Sequence, residues 1–139
     1  MTDDHPSWAQ MSQGADIDIG VPADGAYLSV LRTAAAGLAA RLDFTLDDIE
    51  DLRIAVDEAC SLLLAQAVPG SRLTCSFHMT DDSVTVRAAV RSSSPRVPPR
   101  DGFAWAVLSA LASDVSFDVQ LPDQLMIQLS QQRPAADLR

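Results

Sequence analysis

The chain has no lysine: all ten of its basic side chains are arginine. A catalytic or Schiff-base lysine is therefore excluded. Positive charge is scarce altogether, with ten basic residues against nineteen acidic ones, a net charge of -9 and a pI near 4.3. Such a surface repels nucleic acid and anionic lipid, and a basic protein is its natural partner. The two cysteines, Cys60 and Cys75, sit inside apolar runs and read as buried free thiols rather than a disulfide or metal site. His5 and His78 have no ligand partner at metal-binding spacing, so no metal centre is expected. No stretch approaches the roughly 20 apolar residues of a membrane span, and the polar N-terminus does not read as a secretory leader. The expected location is the cytoplasm.

What remains is enough apolar sequence, 47% of 139 residues, for one domain around one core. Residues 1–15 are polar and aperiodic and read as a flexible arm, in which Trp8 is expected to tuck onto the domain surface. The domain is expected to span residues 16–130, with 131–139 as a frayed tail. Ile17, Ile19 and Val21 alternate as a short strand. Asp24 then offers an N-cap to a helix whose apolar stripe is Tyr27, Leu31, Ala34, Leu38 and Leu42, leaving Arg32 to face solvent or a partner. Thr45 opens a second helix, with Leu46, Ile49, Leu52, Val56, Ala59, Cys60 and Leu63 as its buried face. Acidic residues crowd its first turn, where the helix dipole favours them. A hairpin follows (Arg72 to Met79, Ser83 to Arg91), then a Ser/Pro/Arg loop, a short helix from Phe103 to Ala112 and a second hairpin around Leu121 to Gln124. Grouped strands rather than strict alternation predict an α+β two-layer sandwich, a mostly antiparallel (mixed) sheet with helices on one face.

Leu52-Arg53-Ile54-Ala55-Val56-Asp57-Glu58-Ala59-Cys60 resembles the N-box helix of the histidine-kinase-like ATPase superfamily. Gly102 to Leu108, with Leu111 and Asp114-Val115, resembles its second glycine box, and Leu28 to Asp43 its first helix. The likeness is to anti-sigma factors with serine-kinase activity. It implies a Bergerat-like fold, Glu58 as the general base of a kinase, and ATP with magnesium as cofactors. It also implies Arg32, with Ser29 beside it, as contacts to a partner protein, and a homodimer built on the first helix and first strand.

The nucleotide site departs from the family's pattern. Magnesium takes oxygen ligands, and the family supplies an Asn four residues after the Glu; here that position is Leu62. The family reads adenine with an Asp in an Asp-x-Gly-x-Gly motif, yet no Asp or Gly lies between Ser83 and Arg100. Val90-Arg91-Ser92-Ser93 stands there instead, and after Gly102 the next glycine is replaced by Ala104. Glu58, Leu62, Arg91, Ser92 and Gly102 are thus expected to line a vestigial nucleotide pocket with no normal cofactor.

Asp57 and Glu58 alone read as a solvated acidic edge. Arg91, Arg96 and Arg100 read as surface charge, or more sharply as a cradle for an anionic small molecule. The reading adopted is an anti-sigma factor that sequesters a sigma factor and is released by an anti-anti-sigma (STAS-type) protein or a ligand, contacting no nucleic acid itself. The alternative is an active serine-protein kinase with Glu58 as base. A third option is a subunit that only pairs with an active paralogue.

Overall fold

The computed structural model describes residues 14–133; most of the expected arm, with His5 and Trp8, and the residues after Arg133 lie outside the described part. The elements run β1 (Ile17–Pro22), α1 (Leu28–Arg41), α2 (Leu46–Leu64), β2 (Arg72–Met79), β3 (Ser83–Arg91), α3 (Phe103–Leu111), β4 (Asp114–Gln120) and β5 (Gln124–Gln132). The five strands form one sheet in the order β1-β2-β3-β5-β4. Every neighbouring pair is antiparallel, so the parallel pairing allowed by the mixed-sheet expectation does not occur among the described residues.

Register sorts the side chains into rows. Ile19, Cys75, Ala88, Ile127 and Phe117 lie side by side across the sheet, and Ile17, Phe77, Val86, Leu129 and Val115 form the next row. Because side chains alternate along a strand, these rows share one face, and the helices cover it. α2 packs on β3 and β5, α1 packs on α2 and β3, and α3 packs on α2 and β4. The opposite face is polar and, among the described residues, uncovered by helices, with Asp18, Ser76, Arg87, Gln128 and Ser116 in one row. There Arg87 donates to Gln128 at 2.7 Å, and the hydroxyls of Thr85 and Ser130 lie 2.9 Å apart.

Local chemistry places the helices. Asp24 accepts from the Ala26 amide at 3.0 Å and nucleates a 3-10 turn over Gly25–Tyr27 that leads into α1. Thr45 accepts from the Asp48 amide at 3.1 Å and caps α2, whose first turn carries Asp47 and Asp48. Asp43 turns the chain between them with a φ of 60°, a conformation aspartate tolerates better than bulkier residues.

Three expected positions differ. The α-helix proper starts at Leu28, so its stripe is Leu28, Leu31, Ala35, Leu38 and Ala39, while Tyr27 is exposed. Leu46 is 85% exposed. Six residues before Leu52 it points about 120° away from the buried stripe, at the first helical position. The expected tail begins too early: β5 continues to Gln132 because Ser83 and Val84 still pair with it. Gln131 is buried there, accepting from the amide of Ser113 at 3.1 Å.

Leu52 has no exposed surface. Leu52→Ala should cost about 2–5 kcal/mol, through lost burial and a residual cavity. Leu46→Ala should change stability by less than about 0.5 kcal/mol. Urea unfolding midpoints of the two variants check the contrast.

Candidate functional site

α2 buries Leu52, Ala55, Val56, Ala59, Cys60 and Leu63 against the sheet. With about 100° per residue, this stripe sends the adjacent acids Asp57 and Glu58 to opposite flanks of the helix. Asp57 turns to α1, where the Arg32 guanidinium donates to its Oδ1 at 2.7 Å. Both side chains are a little over one third exposed. Arg32, expected to face solvent or a partner, is therefore committed to a bond that ties α1 to α2. Glu50 and Arg53 pair beside it at 3.1 Å, and with Ile54 these four charges line a shallow cleft between the helices. Ser29, three residues before Arg32 on α1, is exposed.

Glu58 lies on the other flank with Leu62 four residues on and Gln66 four further, a spacing that keeps successive positions on one side. Glu58 is exposed, and among the described residues its carboxylate forms no ion pair. Leu62 is half-buried against the core. At the end of this line the loop from Ser92 to Gly102 is fastened down. The Gln66 side chain donates to the Arg96 carbonyl at 2.9 Å and accepts from the Arg96 amide at 2.9 Å, engaging the backbone of one residue twice. Trp105 Nε1 donates to the Pro98 carbonyl at 2.7 Å, and Arg100 lies 4.7 Å from the centre of the same indole. The indole in turn meets Phe117 edge-on at 5.2 Å. Gly102, at the N-cap of α3, passes so close to Pro99 that a Cβ there would lie 3.1 Å from its carbonyl oxygen.

The expected pocket residues are thus only partly assembled. Arg91 alternates with Val90 and so projects from the polar face of the sheet, away from the helices, with its Nε 3.5 Å from Asp123. Ser92 is buried; its amide donates to the Asp123 carbonyl at 2.7 Å and its hydroxyl accepts from the Ser94 amide. The three arginines weighed as one anion cradle have three different settings: Arg91 beside Asp123, Arg96 with an exposed side chain, and Arg100 on Trp105. Among the described residues, no group of three or more His, Cys, Asp or Glu side chains could hold a metal ion, and no helix is long and apolar enough to cross a membrane.

Sequence reasoning missed Gln66, Trp105 and Asp123. Gln66 and Arg96 are 30 residues apart and carry no local signal. Trp105 had one, since a buried indole N–H needs an acceptor. Arg133 donates from its backbone to Asp82 and from its side chain to the Leu42 carbonyl, joining the Asp81-Asp82 turn to the corner that bears Asp43. The amide of Val68 donates to the Arg91 carbonyl at the opposite end, where Arg72 and Arg91 line one depression.

No family model matches the chain. It is similar to the anti-sigma-F factor RsbW of Mycobacterium tuberculosis, 34% identical over 109 residues, covering 77% of this chain and 65% of that protein. It is similar to RsbW proteins. A serine-protein kinase RsbW of Halalkalibacterium halodurans is 37% identical over 78 residues, 55% of this chain and 48% of that one. The serine-protein kinase RsbW of Bacillus cereus is 33% identical over 81 residues, 57% and 51% respectively. The chain thus spans just under two thirds of the mycobacterial RsbW and about half of the other two. The resemblance read from the α2 segment agrees with these RsbW matches.

The geometry fixes two measurable outcomes. A double-mutant cycle with Arg32→Gln and Asp57→Asn should give a coupling of about 0.5–1 kcal/mol, the value of a partly exposed pair. The buried thiols supply the other. Burial, with the Asp57 charge adding to it, pushes Cys60 from 9.0 up to about 12, and burial also raises Cys75. Both should stay unlabelled by a thiol reagent such as DTNB at pH 8 until the protein unfolds. A raised folded-state value holds the proton in the native protein, so stability should fall as pH climbs from about 9 toward 12, where only unfolded thiols ionise. Urea melts across that window read the slope.

Proposed function

We propose that this protein is a cytoplasmic anti-sigma factor that occludes the polymerase-binding surface of a sigma factor and does not use magnesium-nucleotide chemistry. It is released by an anti-anti-sigma partner or by a small ligand. The observation that carries the second half of this reading is Leu62, half-buried at the position where the resemblance calls for a metal-ligating amide. No shift in alignment repairs this, because the chain contains no asparagine at all. Magnesium has no oxygen to take from a leucine side chain. Beside it, the loop that would need to open around a nucleotide is held by Gln66, Trp105 and Arg100. The residues present do not fit Mg-ATP, and no step is assigned to it.

The binding half is supported by the RsbW relatives, one of them named an anti-sigma factor, and by the charge of -9. A surface of this sign steers a basic partner and speeds its encounter. The Arg32–Asp57 pair gives the α1–α2 face a fixed geometry on which such a partner can dock. A homodimer would use the exposed Tyr27 and Val30 with the free edge of β1.

A second reading has one feature in its favour. Glu58 is exposed and unpaired among the described residues, as a base in a serine-protein kinase must be. Two measurements separate the readings. The purified protein should bind its sigma factor equally well with ATP and magnesium or with EDTA, and association should slow about tenfold or more when salt is raised from low to high. Phosphate transfer from labelled ATP to an anti-anti-sigma protein, lost in Glu58→Gln, would establish the kinase instead.

A further inference from the structure

We propose that the polar face of the sheet carries a binding site for a phosphoryl group, held between Arg72 of β2 and Arg91 of β3. Arg72 stands two residues before Thr74 on β2 and Arg91 two residues after Ala89, the partner of Thr74 on β3, so both lie just beyond the last pair of this ladder on the same face. Their guanidiniums turn to opposite sides, Arg72 toward Gly20 of β1 and Arg91 toward Asp123. Both line a single depression of about 410 Å³, with Thr74, Ala89 and Gln124 also in its walls.

Each guanidinium is held in place by one contact and keeps donors to spare. Arg72 lies back along β1, its Nη2 donating to the Gly20 carbonyl at 2.7 Å. Arg91 reaches Asp123 only at 3.5 Å, beyond a good hydrogen bond, and its side chain is 68% exposed. A guanidinium offers five N–H groups, so both retain a free edge. Gln124, opposite Arg91 on β5, adds an amide. The floor is closed, with Ala89 1% exposed although it belongs to the face without helices.

A tetrahedral dianion suits this setting better than a carboxylate. Its oxygens can accept from forks arriving on two strands. The site lies on the side of the sheet opposite Glu58 and Leu62 and does not depend on the sigma-factor reading. The ligand chemistry is a phosphoryl group, whether free in solution or carried on a phosphorylated side chain.

The test is calorimetric titration of the full chain with inorganic phosphate and with a phosphoserine peptide, comparing the native protein with R72Q, R91Q and R100Q. Saturable one-to-one binding is expected, weakened about tenfold or more in R72Q and in R91Q and unchanged in R100Q, whose guanidinium stacks on Trp105 away from the site. The tighter of the two probes identifies the source of the group. Melting temperatures establish that the variants are folded. Phosphate binding that survives both substitutions overturns the proposal, as does acetate binding as tightly as phosphate.

Discussion

The burial of α2 on the sheet decides most of what this molecule can do. Leu52, Ala55, Val56, Ala59, Cys60 and Leu63 must face β3 and β5, and a helix offers no freedom to rotate once that stripe is fixed. Two acids adjacent in sequence are thereby assigned to different surroundings. Asp57 becomes structural through Arg32. Glu58 stays in solvent, beside a leucine where metal chemistry would need an oxygen. The same constraint continues past the helix end, where Gln66 meets the loop from Ser92 to Gly102. One packed face therefore sets both the α1–α2 surface and the opposite flank that bears Glu58.

Much of the fold was legible because its signals are local. Thr45 and Asp24 cap through neighbours two or three residues away. The alternation of Leu73, Cys75 and Phe77 against Val86, Ala88 and Val90 survives intact as the inner rows of β2 and β3. The pattern misleads where a local signal meets a distant decision. Tyr27 belongs to a 3-10 turn rather than to the helical phase that follows, and Leu46 looks core-like in composition but sits before the helix reaches the sheet. Gln131 reads as tail until the pairing of β3 with β5 is known, and that pairing links residues up to 49 positions apart, Ser83 with Gln132.

The site was less legible for the same reason. Leu62 and the missing glycines could be seen directly. The partners of Arg32, Gln66 and Arg91 could not, since those contacts join residues 25 to 32 positions apart. Arginines that look like one cluster in the sequence are divided by strand alternation and by an indole. Arg72, nineteen residues from Arg91, lines the same depression instead. Proximity along the chain was a poor guide to which charges share a ligand.

Trp105 has a consequence of its own. Its indole is bonded to the Pro98 carbonyl, covered by Arg100 and set edge-on to Phe117, so its surroundings combine the loop, α3 and β4. The chain has only one other tryptophan, Trp8. The ring is consequently an intrinsic optical gauge of the loop, since any event that lifts Pro98 hydrates the indole and alters its emission. The emission of Trp105 would thus report any binding event that shifts the segment from Ser92 to Gly102.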